Sequence, residues 1–306
     1  AKRCEGLRYI PHIKMSSSEK FFDELKKNTS NYPEYKGELY LEKHQGTYTT
    51  QGKVKKNNRQ CEVLLHFAEW ICTMAFIKGK EYPHKELDEI WKEVLLYQFH
   101  DILPGSSIQR VYEECNARYE ILKKNINNII DEAVLYLQNN EKSLFAINPI
   151  DFKRSGYIKH KNEWFRYSLA PYSTGELKKA ESPVLLQYSK NIIENECLKV
   201  VFNNNGQIKT ILDKKNNYNC VASIINAVRV YKDRFVHPYN AWDIDINYTK
   251  HKPTDMKLVE SKEYCDGNSV VRENKFVYKS SSLIQRIILM ESCSYIKVEN
   301  EVDWHE

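Results

Sequence analysis

The chain has 306 residues, 42% of them apolar and 12% aromatic, which suits roughly two packed domains and excludes a disordered chain. Its 46 basic residues nearly match the 41 acidic ones, so a net charge of +5 leaves no electrostatic footprint for nucleic acid. No apolar run approaches membrane-spanning length, and no apolar segment follows Ala1-Lys2-Arg3-Cys4, so neither a membrane protein nor a signal peptide is expected.

The residues to about Met15 read as a loop or as the tail of something earlier. Ser16 to Asn28 reads as a helix, opened by the capping box Ser16-x-x-Glu19 and carrying Phe21, Phe22 and Leu25 on one side. Ser30, Asn31 and Pro33 break it, Glu38 to Glu42 alternates like a short strand, and His44 to Gln51 is a loop entering a helix. From about Thr50 to Lys78, Val63, Leu64, Phe67, Trp70, Ile71 and Met74 recur at helical spacing, with Lys53, Lys55, Lys56 and Arg59 as a solvated basic start.

His84 to Tyr97 makes a second helix, with Leu87, Ile90, Trp91, Val94 and Leu95 on its apolar face. Ser106 or Ser107 to about Asn139 makes a third, whose stripe runs from Ile108 to Leu137. Three amphipathic helices with short connections predict an antiparallel bundle. Beyond Asn140 the period changes to that of strands. Ser143–Pro149, Glu163–Leu169, Val184–Ser189, Cys197–Phe202, Gln207–Leu212, Val221–Tyr231, Val270–Tyr278, Leu283–Met290 and Tyr295–Val302 predict an antiparallel β-sandwich. The fold class is therefore α+β multidomain: a three-helix bundle, then a sandwich incomplete at the C-terminus. The missing initiator Met and the abrupt end after a strand predict an excised piece of a longer protein.

Between the second and third helices lies Gln98-Phe99-His100-Asp101-Ile102-Leu103-Pro104-Gly105-Ser106-Ser107-Ile108. Pro104 and Gly105 end one helix before the next begins, leaving His100 and Asp101 at a corner. Such a pair could bind a metal, shuttle a proton or hold a sugar hydroxyl; a corner histidine with an Asp cap fits the residues as well. The eight cysteines, Cys4, Cys61, Cys72, Cys115, Cys197, Cys220, Cys265 and Cys293, form no C-x-x-C, so a zinc ribbon or disulfide framework is not expected. Scattered thiols predict a reducing, cytoplasmic setting. His12, His66, His84, His160, His237, His251 and His305 have no ligating spacing.

Several words of the sequence, in order, resemble glycoside hydrolase family 38, the α-mannosidases, and most of all its bacterial and cytosolic branch. They are Glu38-Leu39-Tyr40-Leu41-Glu42-x-His44-x-Gly46-Thr47-Tyr48-Thr49, Asn58-Arg59, Ala68-Glu69 and the Gln98–Ile108 corner. Farther on come Phe145 to Pro149, Arg154-Ser155-Gly156, Glu194-Asn195-Glu196, Asn205-Gly206, Asp213-Lys214-Lys215, Ala241-Trp242-Asp243-Ile244-Asp245 and Glu299 to Trp304.

The resemblance implies a zinc-assisted retaining glycosidase acting on mannose-containing glycans. It assigns His100 to the zinc site and Asp101 to the sugar held there, with Tyr239, Trp242 and Asp243 as further sugar contacts from the β half. For those three, and for His44 and Tyr48, turn packing is an equal alternative. No His-x-Asp occurs in the chain, so the resemblance places the other zinc ligands and the catalytic carboxylates in a separate N-terminal catalytic domain, the main expected partner. No catalytic residue is assigned here. Residues 1–36 would be the tail of that domain or a linker, 37–140 the bundle, and 141–306 the first part of the β domain. Gln45 and Asn240 depart from the family, which usually has a basic residue and an aspartate there. The alternative reading is a non-catalytic carbohydrate-binding or scaffolding module.

Overall fold

The computed structural model describes residues 9, 11, 14–27, 29–36, 44–138, 144–181, 186–233 and 239–306. The chain divides into two compact units, Ala1–Leu41 and Glu42–Glu306. In the first, α1 (Ser18–Lys26) starts one residue later than the expected box: Ser17 is the cap, and its hydroxyl accepts from the Lys20 amide. The expected strand at 38–42 lies outside the described residues.

In the second unit α2 (Gly52–Ile77), α3 (His84–Tyr97) and α4 (Gln109–Leu137) form the bundle. The stripe of α2 differs from the expected one. Its buried row is Val54, Asn58, Cys61, Leu65, Ala68, Cys72 and Ala75, alternating four and three residues apart, with Asn57 and Ile71 buried beside it; of the expected stripe Ile71 is buried, whereas Val63 is 54% exposed. Small side chains dominate this row and allow close packing with α4, which contributes Tyr112, Cys115, Tyr119, Leu122, Ile126 and Ala133. The larger Leu64, Phe67 and Trp70 flank the core half-buried. Leu95 and Ile108, expected on the apolar stripes of α3 and α4, are exposed. By length and composition alone α2 could cross a membrane; its buried row packs into the core of the bundle.

The β region begins with β1 (Phe145–Asn148), β2 (Arg154–His160), β3 (Glu163–Leu169), β4 (Ser173–Glu176) and β5 (Lys178–Lys179). Then come β6 (Gln187–Ser189), β7 (Ile192–Glu194), β8 (Leu198–Phe202), β9 (Ile208–Asp213) and β10 (Tyr218–Asn219). Two short strands, β11 (Arg229–Val230) and β12 (Thr254–Asp255), precede β13 (Lys257–Asp266), β14 (Ser269–Tyr278), β15 (Ser281–Met290) and β16 (Lys297–Asp303).

The sheet β10-β9-β8-β7-β6 faces the sheet β13-β14-β15-β16, and Ile193, Val200, Phe202, Val270, Ile287 and Leu289 fill the space between them. Every recorded strand pair is antiparallel. Arg272 of β14, only 1% exposed, points into this core and pairs with Glu263 of β13. Its Nε donates to Asn274 Oδ1 at 2.7 Å, and its Nη1 to Asn191 Oδ1 at 3.0 Å. The long strand expected over 221–231 is reduced to β11 and an isolated bridge at Ile225.

Candidate functional site

The corner between α3 and α4 is built from tight turns. The Ile102 and Leu103 amides donate to Phe99 O at 2.8 and 3.1 Å, and Gly105 N donates to Ile102 O at 3.1 Å. The preceding helix end is anchored inward: Gln98 Nε2 donates to Asn58 Oδ1 and Glu62 Oε1, both at 3.1 Å. Asn58 of the Asn58-Arg59 word is thus a buried brace for α3, while Arg59 is exposed and pairs with Glu62.

Ser106 and Ser107, expected as helix-start residues, serve Asp101 instead. Ser106 Oγ donates to Asp101 Oδ1 at 3.0 Å, Ser107 Oγ donates to Asp101 O at 2.7 Å, and the Tyr112 hydroxyl accepts from Ser107 N at 2.7 Å. The free corner of the carboxylate, Oδ2, lies 3.5 Å from His100 Nε2. The His100 side chain is 75% exposed, against 44% for Asp101. A fixed carboxylate beside a solvent-facing imidazole results, not a buried corner histidine.

Zinc takes imidazole nitrogen and carboxylate oxygen, so the His100 imidazole and the Asp101 oxygen that Ser106 leaves open could serve as two donors to such an ion. Among the described residues no group of three or more His, Cys, Asp and Glu side chains gathers to hold a metal. A closed site therefore needs donors beyond the described residues.

The β-half candidates take a different place. Tyr239 O accepts from both Trp242 N and Asp243 N at 2.9 Å, forming a turn that presses onto the 44–50 loop. Asp243 Oδ1 accepts from His44 N at 2.6 Å, and the Trp242 ring meets the His44 ring edge-on at 5.3 Å. A Cβ on Gly46 would lie 3.0 Å from Trp242 C and O, so a side chain there would crowd the Trp242 main chain. Trp242 and Asp243 thus dock the β region on the bundle, while Tyr239 remains 63% exposed.

Hydrogen bonds carry this docking onward to the corner. Thr50 N and Oγ1 donate to Gly46 O at 2.9 and 2.7 Å. Lys55 Nζ then donates to Thr50 O at 2.5 Å, Leu103 O at 2.8 Å and Pro104 O at 3.2 Å. Lys55 was expected on a solvated face; it is half-buried, and burial lowers the pKa of its ammonium. No feature of the sequence marked it. A cleft of about 920 Å³ lies elsewhere, between α2, α4, β1 and β4, and contains none of the corner residues.

Residues 42–137 match the profile described as the α-mannosidase middle domain, and residues 193–306 that of the glycosyl hydrolases family 38 C-terminal domain, together more than half of the chain. The chain belongs to glycoside hydrolase family 38. The resemblance read from the sequence, and the α+β class with it, are thereby borne out. Over its whole length it is 28% identical to mouse alpha-mannosidase 2C1, covering 32% of that protein. It is 26% identical to alpha-mannosidase G of Dictyostelium discoideum over 97% of this chain and 34% of the relative. A Saccharomyces cerevisiae alpha-mannosidase is 38% identical over 142 residues, covering 44% of this chain and 13% of the yeast protein. The chain thus spans about a third, or less, of the length of the curated relatives it matches. An alpha-mannosidase structure from Enterococcus faecalis V583 shares the fold, with a TM-score of 0.64 and 17% identity over 92% of this chain and 46% of that one.

Proposed function

We propose that this family 38 chain forms part of an α-mannosidase-like retaining glycoside hydrolase, and that His100 and Asp101 are one wall of its zinc and sugar site. The observation that carries the reading is the corner itself: an exposed imidazole beside a carboxylate whose other oxygen is held by Ser106. The alpha-mannosidase names of the relatives support a mannose-containing glycan as substrate. His100 would give one imidazole to the metal, and Asp101 Oδ2 would accept a hydrogen bond from a sugar hydroxyl. Bound zinc would grip sugar hydroxyls and favour a distorted ring. The two carboxylates of a retaining displacement are assigned to residues beyond this chain, in a catalytic domain that packs with it. The proposed cellular setting is the cytoplasm.

On this reading the chain alone does not turn over p-nitrophenyl α-mannoside with added zinc, and it binds zinc weakly, since an imidazole and a carboxylate do not close a tetrahedral site. Clear turnover by the isolated 306-residue chain would overturn the assignment of the carboxylates elsewhere.

A further inference from the structure

We infer that Lys55 is the positioning residue of the His100–Asp101 corner, an inference that rests on the reading of that corner as part of a zinc and sugar site. An ammonium has three N–H donors, and those of Lys55 all go to main-chain carbonyls: Thr50 O, Leu103 O and Pro104 O. One acceptor belongs to the loop that docks Trp242. The other two follow His100 by three and four residues, so the ammonium ties backbone to backbone across the site. Gly105 shows how closely the two loops meet. At φ +100° it lies so near that a Cβ would fall 2.7 Å from Thr50 O and 2.8 Å from Thr50 Cγ2. Among the described residues, the 75%-exposed His100 side chain meets its own neighbours in the turn, the Phe99 ring at 4.2 Å and Asp101 Oδ2 at 3.5 Å. Its placement depends on the 99–105 turns, which Gln98 holds at one end and Lys55 at the other. Arginine spreads its N–H groups over a planar fork and cannot aim three of them from one point, whereas methionine keeps the stem and loses every bond.

The test uses the whole chain with ¹³C-labelled histidine, titrated with zinc chloride, together with hydrogen exchange at the Ile102, Leu103 and Gly105 amides. Lys55→Met is expected to weaken the zinc response of the His100 ring about tenfold, the usual loss when a residue supporting a ligand is removed. It should also speed exchange at those three amides while the rest of the bundle stays protected. Lys55→Arg should recover part of both effects, and Gly105→Ala, which lifts the same turn off Thr50, should reproduce them. A Lys55→Met chain with the wild-type zinc response and wild-type exchange overturns the inference. Should Lys55→Met not fold, unchanged behaviour of both Lys55→Arg and Gly105→Ala overturns it equally. If the wild-type His100 ring does not respond to zinc, the exchange measurements alone decide the role of Lys55.

Discussion

Gly46 sits where the bundle meets the β region, with the Trp242 main chain occupying the space a side chain would need. Gly46→Ala is expected to cost about 1–3 kcal/mol, as other overpacked contacts do. The loss should appear as a lower urea midpoint with an unchanged slope. At this scale the sequence was unevenly legible. The Pro104-Gly105 break announced a corner, and the corner is where it placed His100 and Asp101. For Trp242 and Asp243 it left sugar contact and turn packing level; the turn contacts with His44 are what the structure shows of them. Lys55 could not be read, because a lysine in a first helical turn is solvated by default. What makes it otherwise is a pair of carbonyls 48 and 49 residues away.

Between elements, α3 and α4 are joined by a two-bonded ion pair: Arg118 Nε and Nη2 each donate to a Glu93 oxygen at 2.6 Å. These bonds hold the Glu93 carboxyl below the usual range, and the Tyr97 hydroxyl adds another at 3.0 Å. A depressed folded-state pKa stabilises above the unfolded value, about 4.3, and is lost as pH falls through the folded one. Arg118→Met should therefore lower Tm at pH 7, and the gap from wild type should shrink steadily below about pH 4. Thermal melts across that range check it. The bundle was legible as three helices because bulky apolar residues recur at helical spacing. The row of small residues that α2 buries escaped that search, since Cys and Ala carry little weight in it. The strand β13 escaped for a related reason: Glu260, Ser261, Lys262 and Glu263 pair along β14, which supplies the buried side.

Across the molecule, the sandwich closes over a buried arginine. Arg272→Met alone should destabilise by about 3–5 kcal/mol, because the largely buried Glu263 would lose its ion-pair partner. Adding Glu263→Leu should recover much of that loss, and urea unfolding of the single and double variants measures both. The order of motifs from Glu38 to Trp304 made the family legible where each motif alone would not.

The meeting of Gly46 with Trp242, and of His44 with Asp243, has a practical side. Chain continuity is only one of the ways in which bundle and sheets stay together. Two polypeptides, 44–138 and 144–306, should therefore reassemble when co-expressed, as a split pair that co-purifies through a tag on either piece. A bulky residue at 46 should abolish recovery of the untagged half. The same pair would report on variants of the interface without any catalytic readout.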